Sequence, residues 1–222
     1  MQGNSEKIQR MYDLRFDAMA QQSKDKIWQV IVREFLQKWV GAQAAVLDLG
    51  CGYGEFLNHV QCARRVGVDL NPDSHLHLAK GIEFHQGSVT GLPFLGDGCM
   101  DVVFASNLME HLESKAEVQK MIREVRRVLK PAGHFIALGP NLRFLPGEYW
   151  DFWDHVIPIT DRSLVETLRN EGFEPINVIP KFLPYTTCSP FPKSAFLISL
   201  YLKFPIAWCI FGRQFLIRVC KS

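Results

Sequence analysis

No stretch of the 222 residues is apolar over the roughly 20 positions that a transmembrane helix requires. The two apolar runs near the carboxyl end, Ala195 to Leu202 and Ile206 to Phe211, are split by Lys203-Phe204-Pro205. Cysteines are few and scattered, at positions 51, 62, 99, 188, 209 and 220. They form no C-x-x-C pair and no Cys/His group at zinc spacing, so neither metal nor redox chemistry is suggested and reduced thiols are expected. The polar start, Met1 to Lys7, lacks the apolar segment of a signal peptide, and a cytoplasmic location is expected. Excess charge is also small. Lys and Arg number 25 against 23 Asp and Glu, and a net charge of +2 implies no polyanionic partner. Nucleic acid is thereby disfavoured as a substrate. No internal repeat or low-complexity tract interrupts the chain, and a hydrophobic content of 47% can bury one sizeable core. One α/β domain with additions is expected.

The segment from Val46 to Phe56 is the most informative one present. Val46 to Leu49 read as a short buried strand, and Gly50, Gly52 and Gly54 let the backbone turn sharply and approach a ligand closely before a helix starting at Gly54. A dinucleotide fingerprint would be G-x-G-x-x-G, but Glu55 stands where its third glycine belongs. Carboxylates at Asp48 and Glu55 repel a pyrophosphate and suit a ligand with an amine or a positive centre. An NAD-dependent oxidoreductase is the rival reading of this loop.

Further segments follow in a set order: Val66-Gly67-Val68-Asp69-Leu70-Asn71-Pro72, a second strand ending in an acid; Phe84 to Phe94; Asp101 to Leu112; and Arg126 to Leu138. As a set, over about residues 44 to 140, they resemble the class I S-adenosylmethionine-dependent methyltransferases, in the branch sharing the methyltransferase type 11 pattern. The resemblance implies a Rossmann-like sheet of seven strands with helices on both faces and the last strand antiparallel, and it reads Arg126 to Leu138 as the fourth helix, a tight turn and the fifth strand. It also implies S-adenosylmethionine as cofactor. Asp48 and the loop of Gly50, Cys51, Gly52 and Gly54 would hold its methionyl end. Asp69 would accept from both ribose hydroxyls, with Leu70 beside it, and Asn107 would complete the site after the fourth strand. Ser88 stands where the family usually has an Asp that receives the adenine amino group, so the Val89 N–H is an alternative reader of the ring. A neutral acceptor there makes a weaker bond than a charged one. That departure, and the absence of an unambiguous base, also leave open a non-catalytic module that keeps the fold for partner binding. The chain has no Asn-Pro-Pro-Tyr motif of the kind found in amino-methylating DNA enzymes.

The flanks divide the single domain into a helical lid (1–43), a cofactor core (44–140), an acceptor-side loop, helix and strand (141–180), an apolar insert (181–213) and a final strand (214–222). Trp28, Ile31, Val32, Phe35, Leu36 and Trp39 predict an amphipathic helix over about Ser23 to Val40. In methyltransferases of this type an amino-terminal segment often closes the pocket, which would bring Arg15 to the methionyl carboxylate. Val118, Met121, Ile122, Val125, Val128 and Leu129 form one apolar helical stripe, and Arg123, Arg126, Arg127 and Lys130 read as its solvated face.

Tyr149 to Pro158 mix aromatic and ionisable groups, and a loop leaving the carboxyl end of the fifth strand is placed to line an acceptor pocket. A hydroxyl acceptor needs a base. His155, with Asp154 or Asp151 close by, and His111 are the candidates, against a purely structural Asp-His corner. Tyr149, Trp150 and Trp153 either flank the ligands or anchor the loop. Asp161 to Glu171 predict a helix capped by Thr160 or Asp161 and ended by Gly172; Phe173 to Ile179 and Phe215 to Val219 predict the last two strands. The insert can pack within the chain, cap the pocket, form a dimer contact or lie in a membrane interface through about residues 194–212. With the aromatic loop it resembles a subgroup of small bacterial methyltransferases of cell-envelope saccharide pathways. That makes a sugar hydroxyl, small or lipid-linked, the first acceptor class and a small aromatic or quinone-like hydroxyl the second.

Overall fold

The computed structural model describes residues 18–185 and 194–222, with side chains from residue 22 onward. Arg15 and the Tyr12 to Phe16 segment lie outside the described residues, as does Cys188.

Short apolar runs form a seven-stranded sheet with the order β3-β2-β1-β4-β5-β7-β6. The strands are β1 (Ala45–Leu49), β2 (Arg64–Asp69), β3 (Glu83–Gln86), β4 (Met100–Ser106), β5 (Leu129–Pro140), β6 (Phe173–Ile179) and β7 (Gln214–Lys221). The first five are parallel, and β7 runs antiparallel to both β5 and β6, as the expected fold class requires. In β1 the apolar residues are buried on both faces, as in a parallel sheet covered on both sides. Leu47 and Leu49 join one core with the helices α2 (Lys115–Val128) and α3 (Asp161–Asn170). Val46 faces a second core with α1 (Ala18–Ile31) and α4 (Ala195–Lys203).

The expected Ser23 to Val40 helix starts earlier, at Ala18, and ends in a π turn over Val32–Leu36 and a 3-10 turn over Gln37–Trp39. The added turn, Ala18 to Gln22, is made of good helix formers. In α2 the stripe of Val118, Met121, Ile122, Val125 and Val128 is buried, and Ser114 caps the first turn through Glu117 N–H at 3.2 Å. Its basic face is ion-paired: Arg123 with Glu171, Arg127 with Glu124 and Asp97. In α3, Thr160 and Ser163 cap each other reciprocally, and Gly172 follows at φ +81°.

Two expectations are corrected. The glycine loop does not lead into a regular helix; residues 54–60 form turns, with Asn58 N–H to Gly54 O at 2.8 Å and Val60 N–H to Phe56 O at 3.0 Å. The Asn58 side chain competes for backbone groups there, donating to Tyr53 O and His77 O and accepting from Ala79 N–H. The tight turn expected before the fifth strand is absorbed into β5. Met100 pairs with Leu129 and Val102 with His134, so residues 130–133 bulge opposite Asp101, with Ala132 at φ +59°.

The insert's helices, α4 and α5 (Pro205–Phe211), pack back onto the amino-terminal helical segment. Ser199 Oγ donates to Glu34 Oε2 at 2.8 Å, and the Trp208 ring meets those of Phe35 and Phe182 at 5.5 and 5.3 Å. Among the described residues no helix is long and apolar enough to cross a membrane.

Candidate active site

The carboxyl ends of β1, β2 and β4 bring the first set of residues together. Gly50 and Cys51 N–H both donate to Val68 O, at 2.9 and 3.1 Å, which stitches the loop to β2. Gly50, Gly52 and Gly54 have φ of +64°, +50° and +82°. A Cβ on Gly50 would stand 2.8 Å from Leu108 Cδ1, and one on Gly54 2.6 Å from Leu78 Cδ2. Only glycine therefore combines these conformations with these neighbours.

Asp69 closes β2. Its Oδ2 accepts from Gly52 N–H and its Oδ1 from Asn71 N–H, both at 2.8 Å. Each carboxylate oxygen has a second lone pair, so two further donors can be taken. Burial pushes the Asp69 carboxyl up, and the bonds from Asn71 and Gly52 work against that rise. Asp48 is buried, and burial followed by the charges of Glu55 and Asp69 holds its carboxyl well above the usual range. Three carboxylates thus converge beside the loop, and Asp48, the most deeply buried of them, makes the environment suited to a cationic ligand. Glu55 pairs with Lys24 Nζ of α1 at 2.6 Å, which ties the amino-terminal helix to the loop. The Cys51 thiol is pushed up by burial and then by Asp48, Asp69 and Glu55, so it is no nucleophile.

The remaining predicted cofactor residues rim this centre. Gly87 N–H donates to Asp69 O at 2.9 Å, which brings the Ser88–Val89 segment to the end of β2. Ser88 Oγ is engaged locally with Thr90, 2.9 Å from its Oγ1 and 3.2 Å from its N–H; Val89 is buried and Leu70 half exposed. Asn107 sits in the left-handed region at φ +48°, its N–H donated to Leu138 O at 2.9 Å.

A second group of titratable side chains lies beyond β4 and β5. Val156 and Ile157 N–H donate to Glu110 O at 2.8 and 3.2 Å, fastening the aromatic loop to the turn after β4. Asp154 meets His111 there: its Oδ2 and its backbone O are each 3.1 Å from His111 Nδ1. Burial opposes charge on His111, but the Asp154 hydrogen bond and the charges of Glu110 and Asp154 outweigh it and raise the imidazole. Glu110, which the sequence reading did not single out, is buried with Oε1 3.9 Å from His111 Nε2, and burial pushes its carboxyl up. Its place directly before His111 was the available signal.

His155 is buried, stacked on Phe152 at 5.0 Å and edge-on to Tyr149 at 4.8 Å and His111 at 4.9 Å. The three sequence-predicted catalytic residues, His111, Asp154 and His155, therefore share one cluster. Of the aromatics, Tyr149 is wholly buried with its hydroxyl donated to Ile157 O, so it anchors the loop, whereas Trp153 is 93% exposed.

Residues 47–137 match the protein family described as "Methyltransferase domain". A protein of Mycolicibacterium smegmatis named as a probable S-adenosylmethionine-dependent methyltransferase is 32% identical over 136 residues, covering 58% of this chain and 51% of its own. The chain thus spans about half the length of that relative. Demethylmenaquinone methyltransferase of Symbiobacterium thermophilum is 28% identical over 187 residues, 76% of this chain and 72% of its own. Among solved structures, a SAM-dependent methyltransferase from Archaeoglobus fulgidus superposes with a TM-score of 0.65 at 20% identity, covering 89% of this chain and 94% of the other; at that identity the likeness is one of fold.

Proposed function

We propose that the chain acts as a class I S-adenosylmethionine-dependent methyltransferase and transfers the cofactor's methyl group to an oxygen of a small or lipid-linked acceptor, a reading supported by the methyltransferase-domain match over residues 47–137. The observation that carries the cofactor half is the glycine loop set among Asp48, Glu55 and Asp69. S-adenosylmethionine supplies an electrophilic methyl group on a positively charged sulfur. The chain's own residues fit its binding: Asp69 has lone pairs for two ribose hydroxyls, and the buried Asp48 offers charge to an amine. The loop's glycines hold a left-handed backbone that a side chain would strain, which keeps backbone rather than side chains at the ends of β1 and β2.

Methyl transfer asks the enzyme to align the acceptor, exclude water and draw off the hydroxyl proton. On the acceptor side, Glu110, His111, Asp154 and His155 are the clustered ionisable groups for that last task. Support for a lipid-linked acceptor comes from the insert. Its leading residues touch the segment that follows β5, Lys181 Nζ lying 4.8 Å from the Phe144 ring centre and Tyr185 edge-on to Phe152 of the aromatic loop at 5.7 Å, while its helices expose Phe196, Phe204, Ile206 and Ile210. A sugar hydroxyl is the first acceptor class. A quinone-like ring is the second, favoured by the relative named for demethylmenaquinone.

Thermal unfolding with S-adenosylhomocysteine and with NAD tests the cofactor. A ligand at a hundredfold excess over its Kd stabilises the native state by about 2.7 kcal/mol. That shift is expected for S-adenosylhomocysteine and is expected to vanish in Asp69→Ala; a shift with NAD alone would overturn the reading.

A further inference from the structure

Glu110, His111 and His155 come from two segments far apart in the chain, yet each presents a ligand atom within 4.8 Å of the others. We infer that these three side chains form a binding site for a divalent first-row cation of the zinc type. A tetrahedral zinc with bonds of about 2.0–2.1 Å holds its ligand atoms about 3.3 Å apart, so side-chain movements of roughly an ångström close the set. Two imidazoles and one carboxylate are the donors such cations prefer; magnesium and calcium favour oxygen alone.

Two further observations point to the same ligand. His111 Nδ1 faces the Asp154 carboxylate and backbone carbonyl at 3.1 Å, and an N–H donated there leaves the lone pair on Nε2, the atom facing Glu110. A carboxylate holding a histidine in this way is the usual outer support of a metal-bound imidazole. Glu110, in turn, is a buried carboxylate whose nearest basic group among the described residues is that same Nε2, at 3.9 Å. A buried negative charge so weakly compensated is costly, and a cation between these groups removes the cost. The bonds from Val156 and Ile157 N–H to Glu110 O lock the two ligand-bearing segments together before any cation arrives.

Three protein ligands leave a coordination position open, as in catalytic rather than structural zinc sites. If the methyltransferase reading holds, on which this consequence rests, the cation supplies Lewis acidity toward an acceptor oxygen and lowers the pKa of its hydroxyl.

The test is a titration of the metal-stripped full chain with Zn2+ against a chromophoric chelator, with Co2+ as a visible-absorption probe and thermal unfolding to establish that each variant is folded. One cation per chain is expected, with affinity at least about tenfold weaker in Glu110→Gln and His155→Gln. Asp154→Asn, which keeps all three ligands, is expected to lose about tenfold. The Co2+ absorption of the wild type should disappear in Glu110→Gln. A wild-type chain that binds S-adenosylhomocysteine but no Zn2+ overturns the metal site and leaves the methyltransferase reading intact. Equal Zn2+ binding by wild type and Glu110→Gln also overturns it, moving the cation to other residues. Zn2+ binding that these variants lose, in a chain indifferent to S-adenosylhomocysteine, supports the site and removes the reading.

Discussion

Asp48 is where binding and stability oppose each other most directly. Its folded pKa is raised above the ordinary 3.8 by burial, then by Glu55 and Asp69. A raised carboxyl contributes stability that is complete below the unfolded value and is lost as pH rises through the folded value. Ionising Asp48 therefore costs the free protein stability, and a cationic ligand offsets that cost. Asp48→Asn should stabilise the free protein at pH 7 by about 1 kcal/mol, some 2–4 °C in Tm for a chain of this size. The Tm difference between variant and wild type should shrink as pH falls toward the unfolded value. The same variant should bind S-adenosylhomocysteine more weakly. Thermal scans across pH, with and without ligand, check all three; a variant less stable than wild type at pH 7 would contradict the electrostatic account. Asp48 and the loop glycines were legible as a candidate site because a local pattern of backbone and charge marks them. Glu110 was not, because what distinguishes it is burial against an aromatic loop that docks from far along the chain.

The aromatic loop owes its position to the elements that flank it. Asn141, at the end of β5, is wholly buried and donates from Nδ2 to Asp161 Oδ1 at 2.8 Å and to Pro180 O at 2.9 Å. Arg143 Nη1 reaches both Asp161 oxygens, at 2.9 and 3.0 Å. Asp161 thus ties the start of α3 to the exit from β5, and everything between them, including Tyr149 and His155, hangs from that knot. Asp161→Ala leaves the buried Asn141 amide with Pro180 O alone and the partly exposed Arg143 without its carboxylate, which should cost about 2 kcal/mol. Urea unfolding measures it, and a loss below about 1 kcal/mol would show the knot to be dispensable. Elements with regular periodicity were readable: the buried stripe of α2, the Thr160 cap and Gly172 stop of α3, and β6 within its expected bounds. Residues 54–60 were not, because the Asn58 side chain ties them to His77 O and Ala79 N–H, contacts from outside the segment that no local propensity reveals. The Asn141–Arg143–Asp161 knot was missed for the same reason.

At the scale of the molecule, the insert packs on the amino-terminal helical segment and leaves its own outer face bare. One side of α4 is committed inward: Ile198, Tyr201 and Leu202 are buried, and Tyr201 Oη donates to Phe182 O at 2.6 Å. The outer face carries Ile206 at 80% and Phe196 at 74% exposure, with Phe204 and Ile210 more than half exposed and Lys203 at the end of α4. Apolar side chains on a short helical hairpin, flanked by a cation, are the composition of a segment that rests in a lipid headgroup layer without crossing it. Such a contact would bring a lipid-linked acceptor to the aromatic loop that the insert touches through Tyr185 and Phe152. Because the inward side supports the core, deleting the insert would confuse unfolding with loss of binding. The double variant Phe196→Glu, Ile206→Glu changes only the exposed side and should leave Tm within about 2 °C of wild type, since substitutions at exposed positions change stability little. In flotation with vesicles containing anionic lipid, the intact chain should rise with the lipid and the double variant should remain in the dense fraction. Equal flotation would place the contact elsewhere on the surface. No flotation of the intact chain would leave the exposed face without a lipid role and favour the free, small acceptor.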